Sequence, residues 1–239
     1  MEMMEGGFNS SVAARIHTPR GPFFVKALPA DHPRVWTQQR EAQISTYVAR
    51  IAPRVLAHIQ QDDWDVLVTE AIEGRHPDYR PTSPDLPAIV DALCWLSYLD
   101  APAGVEVKNA AERLAAFVPA DQLHLFEGDT LCHTDPNPST LLVDGGRVKF
   151  VDWAWATRGP AWLDAGYWLL WLIAEGGQTP EAAHAAAARV PAFQQEPASV
   201  LTVFADAQAD LWASIAAAPW TQRMQAGTKA WADYLRTTT

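Results

Sequence analysis

The sequence predicts an α+β fold in two unequal lobes. Residues 1–72 form a small β-rich lobe with one helix, and residues 73–239 form a mainly helical lobe. Three observations carry this. Short apolar runs bounded by turn residues crowd into 12–72, around one stretch of helical spacing. A single further hairpin signal follows, between Leu141 and Val151. After it no strand signal returns.

Each element has a local reason. Val12 to Thr18 and Phe23 to Leu28 flank the turn signal Pro19-Arg20-Gly21-Pro22. Trp36 to Ala49 carries Ile44, Tyr47 and Val48 at helical spacing. Val55 to Gln60 and Val66 to Thr69 flank Asp62-Asp63. Pro77 to Pro87 is proline-rich and reads as a loop. Ser83 and Pro84 then serve as cap and first residue of a helix whose stripe is Leu86, Ile89, Val90, Leu93 and Leu96. Asn109 with Glu112 opens a helix from Ala110 to Val118. Arg158 to Trp171 leads into a buried helix, and Thr179-Pro180-Glu181 caps another. Two more span roughly 197–217 and 221–236.

Composition narrows the function classes. Hydrophobic residues make up 49%, ample for a core, and eleven Trp bring indole N–H groups that need partners when buried. A net charge of −10 without any basic stripe argues against nucleic acid as partner. It suits a cationic small substrate, and more simply ordinary solubility. Cys94 and Cys132 offer neither zinc spacing nor a disulfide framework. The first residues lack the regions of a signal peptide. The longest apolar run, Tyr167 to Ala174, falls far short of the ~20 residues of a membrane span. The expectation is a cytoplasmic protein with no membrane partner.

The chemistry concentrates in residues 131–153. Asp135 lies in a polar, proline-stiffened loop ahead of Leu141-Leu142-Val143. Asp144-Gly145-Gly146 is a tight-turn signal, and Val148 to Val151 returns. That pairing brings Asp152 back beside the loop of Asp135. One carboxylate can orient a hydroxyl while the other holds a metal, the division of labour that phosphoryl transfer needs.

His133-x-Asp135, the Leu-Leu-Val strand and Val151-Asp152-Trp153 resemble the catalytic and metal-binding segments of the aminoglycoside phosphotransferase family, small-molecule kinases related to choline kinases. The resemblance implies a bilobal protein-kinase-like fold, ATP and Mg²⁺ as cofactors, and a hydroxylated small molecule as acceptor. Asp135 would be the catalytic residue and Asp152 a metal ligand. The family loop usually reads His-Gly-Asp, four residues, then Asn. Thr140 stands in that Asn place and would be the second metal ligand. Lys26 matches the kinase lysine on the α- and β-phosphates, and Glu41 its ion-pair partner. Arg40 should face elsewhere, since adjacent helical residues do not share a face.

Gly6 to Ser11 resembles the phosphate-covering loop, with Ser10 and Ser11 as contacts; Leu67 to Gly74 resembles the hinge, with backbone groups of Glu70 and Ile72 for adenine. Asp164 would hold the catalytic loop through backbone N–H groups. His133 would brace that loop, and Asn137 would stabilise its turn. The alternative is a catalytically inactive, kinase-like binding module, suggested by Thr140 and the thin glycine loop.

Overall fold

Antiparallel pairing organises the first 70 residues, and the computed structural model describes residues 2–3, 10–215 and 218–238. The strands are β1 (Glu2–Met3), β2 (Val12–Thr18), β3 (Gly21–Pro29), β4 (Val55–Gln61) and β5 (Trp64–Glu70). They form one sheet in the order β1-β2-β3-β5-β4. Asp62 and Asp63 both take positive φ, 50° and 62°, the conformation that a two-residue turn needs to match strand twist. Lys26 sits mid-sheet, opposite Ala13 of β2 and Leu67 of β5.

The helix of this lobe, α1, spans Trp36–Ile44, five residues shorter than the spacing suggested. Its continuation breaks into turns, with Tyr47 N–H and Val48 N–H both donating to Ile44 O, and the carbonyls that follow are taken by the second lobe. Lys149 Nζ donates to the carbonyls of Arg50 (3.0 Å), Ala52 (3.3 Å) and Ala49 (3.4 Å), and Phe150 N–H donates to Ile51 O. Of the residues at helical spacing, Ile44 and Val48 are buried and Tyr47 is 44% exposed.

The connection to the second lobe is short. After β5 the chain passes without regular structure through residues 71–74, and Arg75 pairs with Val143 through two backbone hydrogen bonds. A Cβ on Gly74 would stand 2.9 Å from Val143 O, so only glycine lets the two backbones approach.

Beyond it lie α2 (Leu86–Leu96), β6 (Lys108–Asn109), α3 (Ala110–Leu114), β7 (Thr130–Cys132), β8 (Leu141–Asp144), β9 (Arg147–Phe150) and β10 (Thr157–Gly159). They are followed by α4 (Leu163–Ala174), α5 (Pro180–Ala187), α6 (Pro191–Gln194), α7 (Ala198–Ser214) and α8 (Pro219–Thr238). β8 and β9 form the expected hairpin, with Leu141 opposite Phe150. β6, β10 and β7 make a small sheet that the sequence did not announce, since strands of two or three residues carry no readable alternation.

Two helix starts are instructive. Asn109 Oδ1 accepts from Glu112 N–H as expected, although α3 closes at Leu114 and turns carry the chain on to Val118. α2 proper begins at Leu86 rather than at Pro84. Ser83 Oγ still accepts from Asp85 N–H, but Asp85 itself is taken by a two-pronged pair with Arg75 (2.6 Å each) and by Asp78 N–H.

The core centres on α4. Trp168, Leu169, Leu170 and Leu172 are at most 1% exposed, with Phe126, Phe204 and Trp231 around them. Burying a side chain of this class stabilises by about 1.5–3 kcal/mol before entropy is counted. Among the described residues no helix is long and apolar enough to cross a membrane.

The end of α4 meets the second lobe's entry loop at Gly176, where an added Cβ would stand 2.2 Å from Tyr79 O and 2.5 Å from Leu172 O. Both are backbone atoms, so neither can swing aside. Gly176→Ala should therefore destabilise the protein by about 1–3 kcal/mol. Urea unfolding measures this, and an unchanged midpoint would show that the loop gives way at no cost.

Candidate active site

Backbone geometry places the polar groups first. β7 delivers the chain into the loop 133–140, and the β8–β9 hairpin returns it at Val151, whose N–H donates to Thr140 O. Asp164, in the first turn of α4 and 4% exposed, receives the loop: Oδ2 accepts from His133 N–H at 2.8 Å and Oδ1 from Thr134 N–H at 2.6 Å. The loop-holding role expected of Asp164 is thus seen directly. His133, fully buried, stands edge-on to Trp153 and Phe150. Its Nε2 donates to Val151 O (2.9 Å) and its Nδ1 accepts from Asp135 N–H (3.3 Å). Burial lowers its pKa to about 4, so the ring is neutral and braces the loop.

Thr134 adopts φ 64°, a left-handed conformation that costs a β-branched residue about 1–3 kcal/mol. The next residue, Asp135, accepts from Asn137 Nδ2 at 2.8 Å. Burial raises the Asp135 pKa to about 6, against the Asn137 hydrogen bond and with help from the negative charge of Asp152. Asn137 Oδ1 also accepts from the N–H groups of Ser139 and Thr140, so it stabilises the turn as anticipated. The Thr140 hydroxyl donates to Asp135 O (2.5 Å) and lies 3.0 Å from Asn137 O. What it can offer a cation is an oxygen lone pair.

Asp152 too is left-handed, at φ 64°. Lys26 Nζ lies 2.8 Å and 3.0 Å from the two Glu41 oxygens and 3.5 Å from Asp152 Oδ1. Burial works against the ammonium, yet the two carboxylates outweigh it and hold its pKa above the usual value. Burial likewise pushes Asp152 up, and Lys26 together with His133 and a hydrogen bond with Glu41 outweighs that, keeping the carboxylate below its ordinary range. Strand β3, helix α1 and the turn after β9 therefore meet at one ammonium group.

The remaining expected residues lie at the ends of the strands beside β3 and in the connector after β5. Ser11 N–H donates to Ala27 O, one residue beyond Lys26, and Ser10 precedes it. Gly6 to Asn9 lie outside the described residues. Glu70 closes β5, its side chain paired with Arg54 at 2.6 Å, and Ile72 lies in the connector. Arg40 turns away from Glu41 as expected, donating to Glu106 O (3.0 Å) and Ala154 O (3.1 Å).

Two participants had no signal in the sequence. Tyr79 OH donates to Pro136 O at 2.7 Å. Arg113 Nη1 donates to Thr134 Oγ1 (2.6 Å) and Thr157 Oγ1 (2.7 Å). Neither sits in a motif, and their contacts span 57, 21 and 44 residues of chain.

Residues 95–201 match the family described as Phosphotransferase enzyme family, a segment that contains Asp135, Asp152 and Asp164. No curated protein matches by sequence. Among solved structures, a choline kinase from Streptococcus pneumoniae superposes with a TM-score of 0.64 at 14% identity, covering 98% of this chain and 95% of its own. An aminoglycoside phosphotransferase from Alicyclobacillus acidocaldarius gives 0.61 at 15% identity, covering 100% and 92%. One from Streptomyces rimosus gives 0.53 at 18% identity, covering 97% and 92%. The bilobal protein-kinase-like fold holds over the whole chain. In fold throughout, and in sequence over residues 95–201, this chain resembles the aminoglycoside phosphotransferase and choline kinase-like family, as its loop and hairpin motifs suggested.

Proposed function

We propose that this chain is a small-molecule kinase that moves the γ-phosphoryl group of ATP onto an acceptor hydroxyl, with Mg²⁺ as cofactor. The observation that carries the proposal is the meeting of Lys26, Glu41 and Asp152 from three separate elements, beside a loop that presents Asp135. Neighbours of the same fold have been seen with ligands: the pneumococcal choline kinase with AMP, and a thermostable mutant of aminoglycoside phosphotransferase APH(4)-Ia with ADP and hygromycin B.

In this reading Asp135 accepts the proton of the acceptor hydroxyl. The new bond forms between that oxygen and the γ-phosphorus as the bond to the β–γ bridging oxygen breaks. Asn137 occupies Asp135 Oδ1, leaving Oδ2 for the acceptor. Lys26, held by Glu41, offsets phosphate charge. Backbone groups of Glu70 and Ile72 face the adenine, and Ser10 and Ser11 approach the phosphates.

The donor set suits Mg²⁺. Among the described residues no cluster of three His, Cys, Asp or Glu gathers, and Mg²⁺ needs none, since it takes one or two carboxylates with phosphate oxygens and water. Asp152 and the Thr140 lone pair would hold it, where it supplies neutralisation of phosphate charge. The lobe boundary falls between residues 72 and 73. The acceptor is a small hydroxylated molecule, an aminoglycoside or another antibiotic or metabolite; a cationic one suits the net charge of −10.

The decisive experiment is incubation with Mg-ATP and a panel of hydroxylated compounds, read as a mass gain of one phosphoryl group. Nucleotide binding without any product would make the protein a binding module. Asp135→Ala should remove turnover and leave Mg-ATP affinity within about twofold, whereas Asp152→Ala should abolish Mg²⁺-dependent nucleotide binding. Calorimetry with unchanged affinity in the second variant would overturn the metal assignment.

Because only ionised Asp135 can take a proton, kcat should fall as pH drops through about 6. A limb near pH 4 would mean that the buried setting of this carboxylate does not control turnover. At Thr140 an amide would reach further toward a cation than a hydroxyl does. Thr140→Asn should lower the Mg²⁺ concentration for half-maximal activity. Superimposable Mg²⁺ titrations would place residue 140 off the metal.

A further inference from the structure

Thr134 is the residue before the proposed proton acceptor, and its left-handed backbone is held from two directions. On the backbone side, Asp164 takes the N–H groups of His133 and Thr134. On the side-chain side, Thr134 Oγ1 accepts from Arg113 Nη1 at 2.6 Å and donates to Trp155 O at 3.1 Å. Arg113 is only half-buried in α3, yet the same nitrogen reaches Thr157 Oγ1 at 2.7 Å, and its guanidinium lies 5.6 Å from the centroid of a Trp155 ring. One guanidinium thereby joins the loop ahead of Asp135 to the segment that follows Asp152. A strained residue persists only where its surroundings over-determine it. Here the hydroxyl and the arginine supply that over-determination.

Resting on the kinase reading above, we propose that Arg113 is a positioning residue: it clamps the Thr134 hydroxyl and so sets the direction in which Asp135 meets the acceptor. The clamp acts through geometry, and the guanidinium charge in addition lowers the Asp135 pKa against the effect of burial. No proton passes through it, and it stands one residue away from the reacting groups. Its signature is dependence on the strain at residue 134. Glycine adopts a φ of 64° freely, so the loop needs the clamp less once the threonine is gone.

The test is a cycle of Arg113→Met, Thr134→Gly and the double variant. Each is examined by steady-state kinetics and by amide hydrogen exchange of the segment 133–137. Arg113→Met should lower kcat about 100-fold, the scale of a small misplacement of a catalytic group, with the nucleotide KM within about twofold. Exchange should quicken at 133–137 and stay unchanged in α7 and α8. In the Thr134→Gly background the same arginine change should cost less than about tenfold. Equal losses in both backgrounds would overturn the clamp, as would exchange rising everywhere, since both indicate general stabilisation. A wild type silent on every acceptor would count against the kinase reading instead. The exchange arm would then still decide the clamp, because unchanged protection at 133–137 in Arg113→Met refutes it without reference to turnover.

Discussion

One ammonium group carries the organisation of this molecule. Lys26 and Asp152 are 126 residues apart, and the 3.5 Å between their charged atoms exists only if a sheet, a helix and a distant hairpin are all in register. Glu41 makes the contact sustainable. A buried lysine with no partner would be strongly disfavoured, and one with two carboxylates remains charged despite its burial. Removing either acid thus changes more than one bond. It leaves the remaining charges in a site built for a different balance.

The two lobes reach their stability by different means. The second is an apolar assembly around α4, where Gly166 lets Phe204 close on the helix and Gly227 lets α8 approach Ile173. In the first, Ile44, Val48, Ile51 and Ala52 join that apolar core, whereas the buried Gln38 and Ser45 meet the sheet through polar contacts, Ser45 Oγ accepting from Val55 N–H. Gln38 Nε2 donates to Asp65 O, and the Asp65 carboxylate, 0% exposed, lies 3.0 Å from His58 Nε2 and accepts from Gln60 Nε2. Such a layer is directional, because hydrogen bonds tolerate little sliding. A helix that must deliver Glu41 to one place benefits from being held this way.

The large elements were legible because their signals are local. Short apolar runs mark β2 to β5, turn residues mark their hairpins and that of β8 and β9, and an apolar stripe at helical spacing marks α2. The same locality explains the errors. α1 looks longer in sequence than it is: after Ile44 the chain passes into turns, and the next carbonyls, of Ala49, Arg50 and Ala52, are committed to Lys149, about a hundred residues away. α2 proper starts at Leu86, and the side chain of Asp85 ahead of it answers to Arg75 instead of capping the helix. In the site, motif spacing pointed to Asp135, Asp152 and Asp164. It could not reveal Arg113 or Tyr79, whose importance lies in what folds against them. Nor could it reveal that the residue between His133 and Asp135 is held in a conformation that threonine seldom adopts.

The connector between the lobes acts as a mechanical part. Gly74 is wedged against Val143, and Arg75 is bonded to it on both backbone groups, so the far end of the connector moves as one body with the β8–β9 hairpin. Its near end is anchored in β5. The connector is not the sole tie: Lys149 Nζ donates to the carbonyls of Ala49, Arg50 and Ala52, Phe150 N–H to Ile51 O, and Arg40 to Glu106 O and Ala154 O. Ala71, Ile72 and Glu73 are one strut among several, and the spacing of Lys26 from Asp152 is set by a seam fastened along its length.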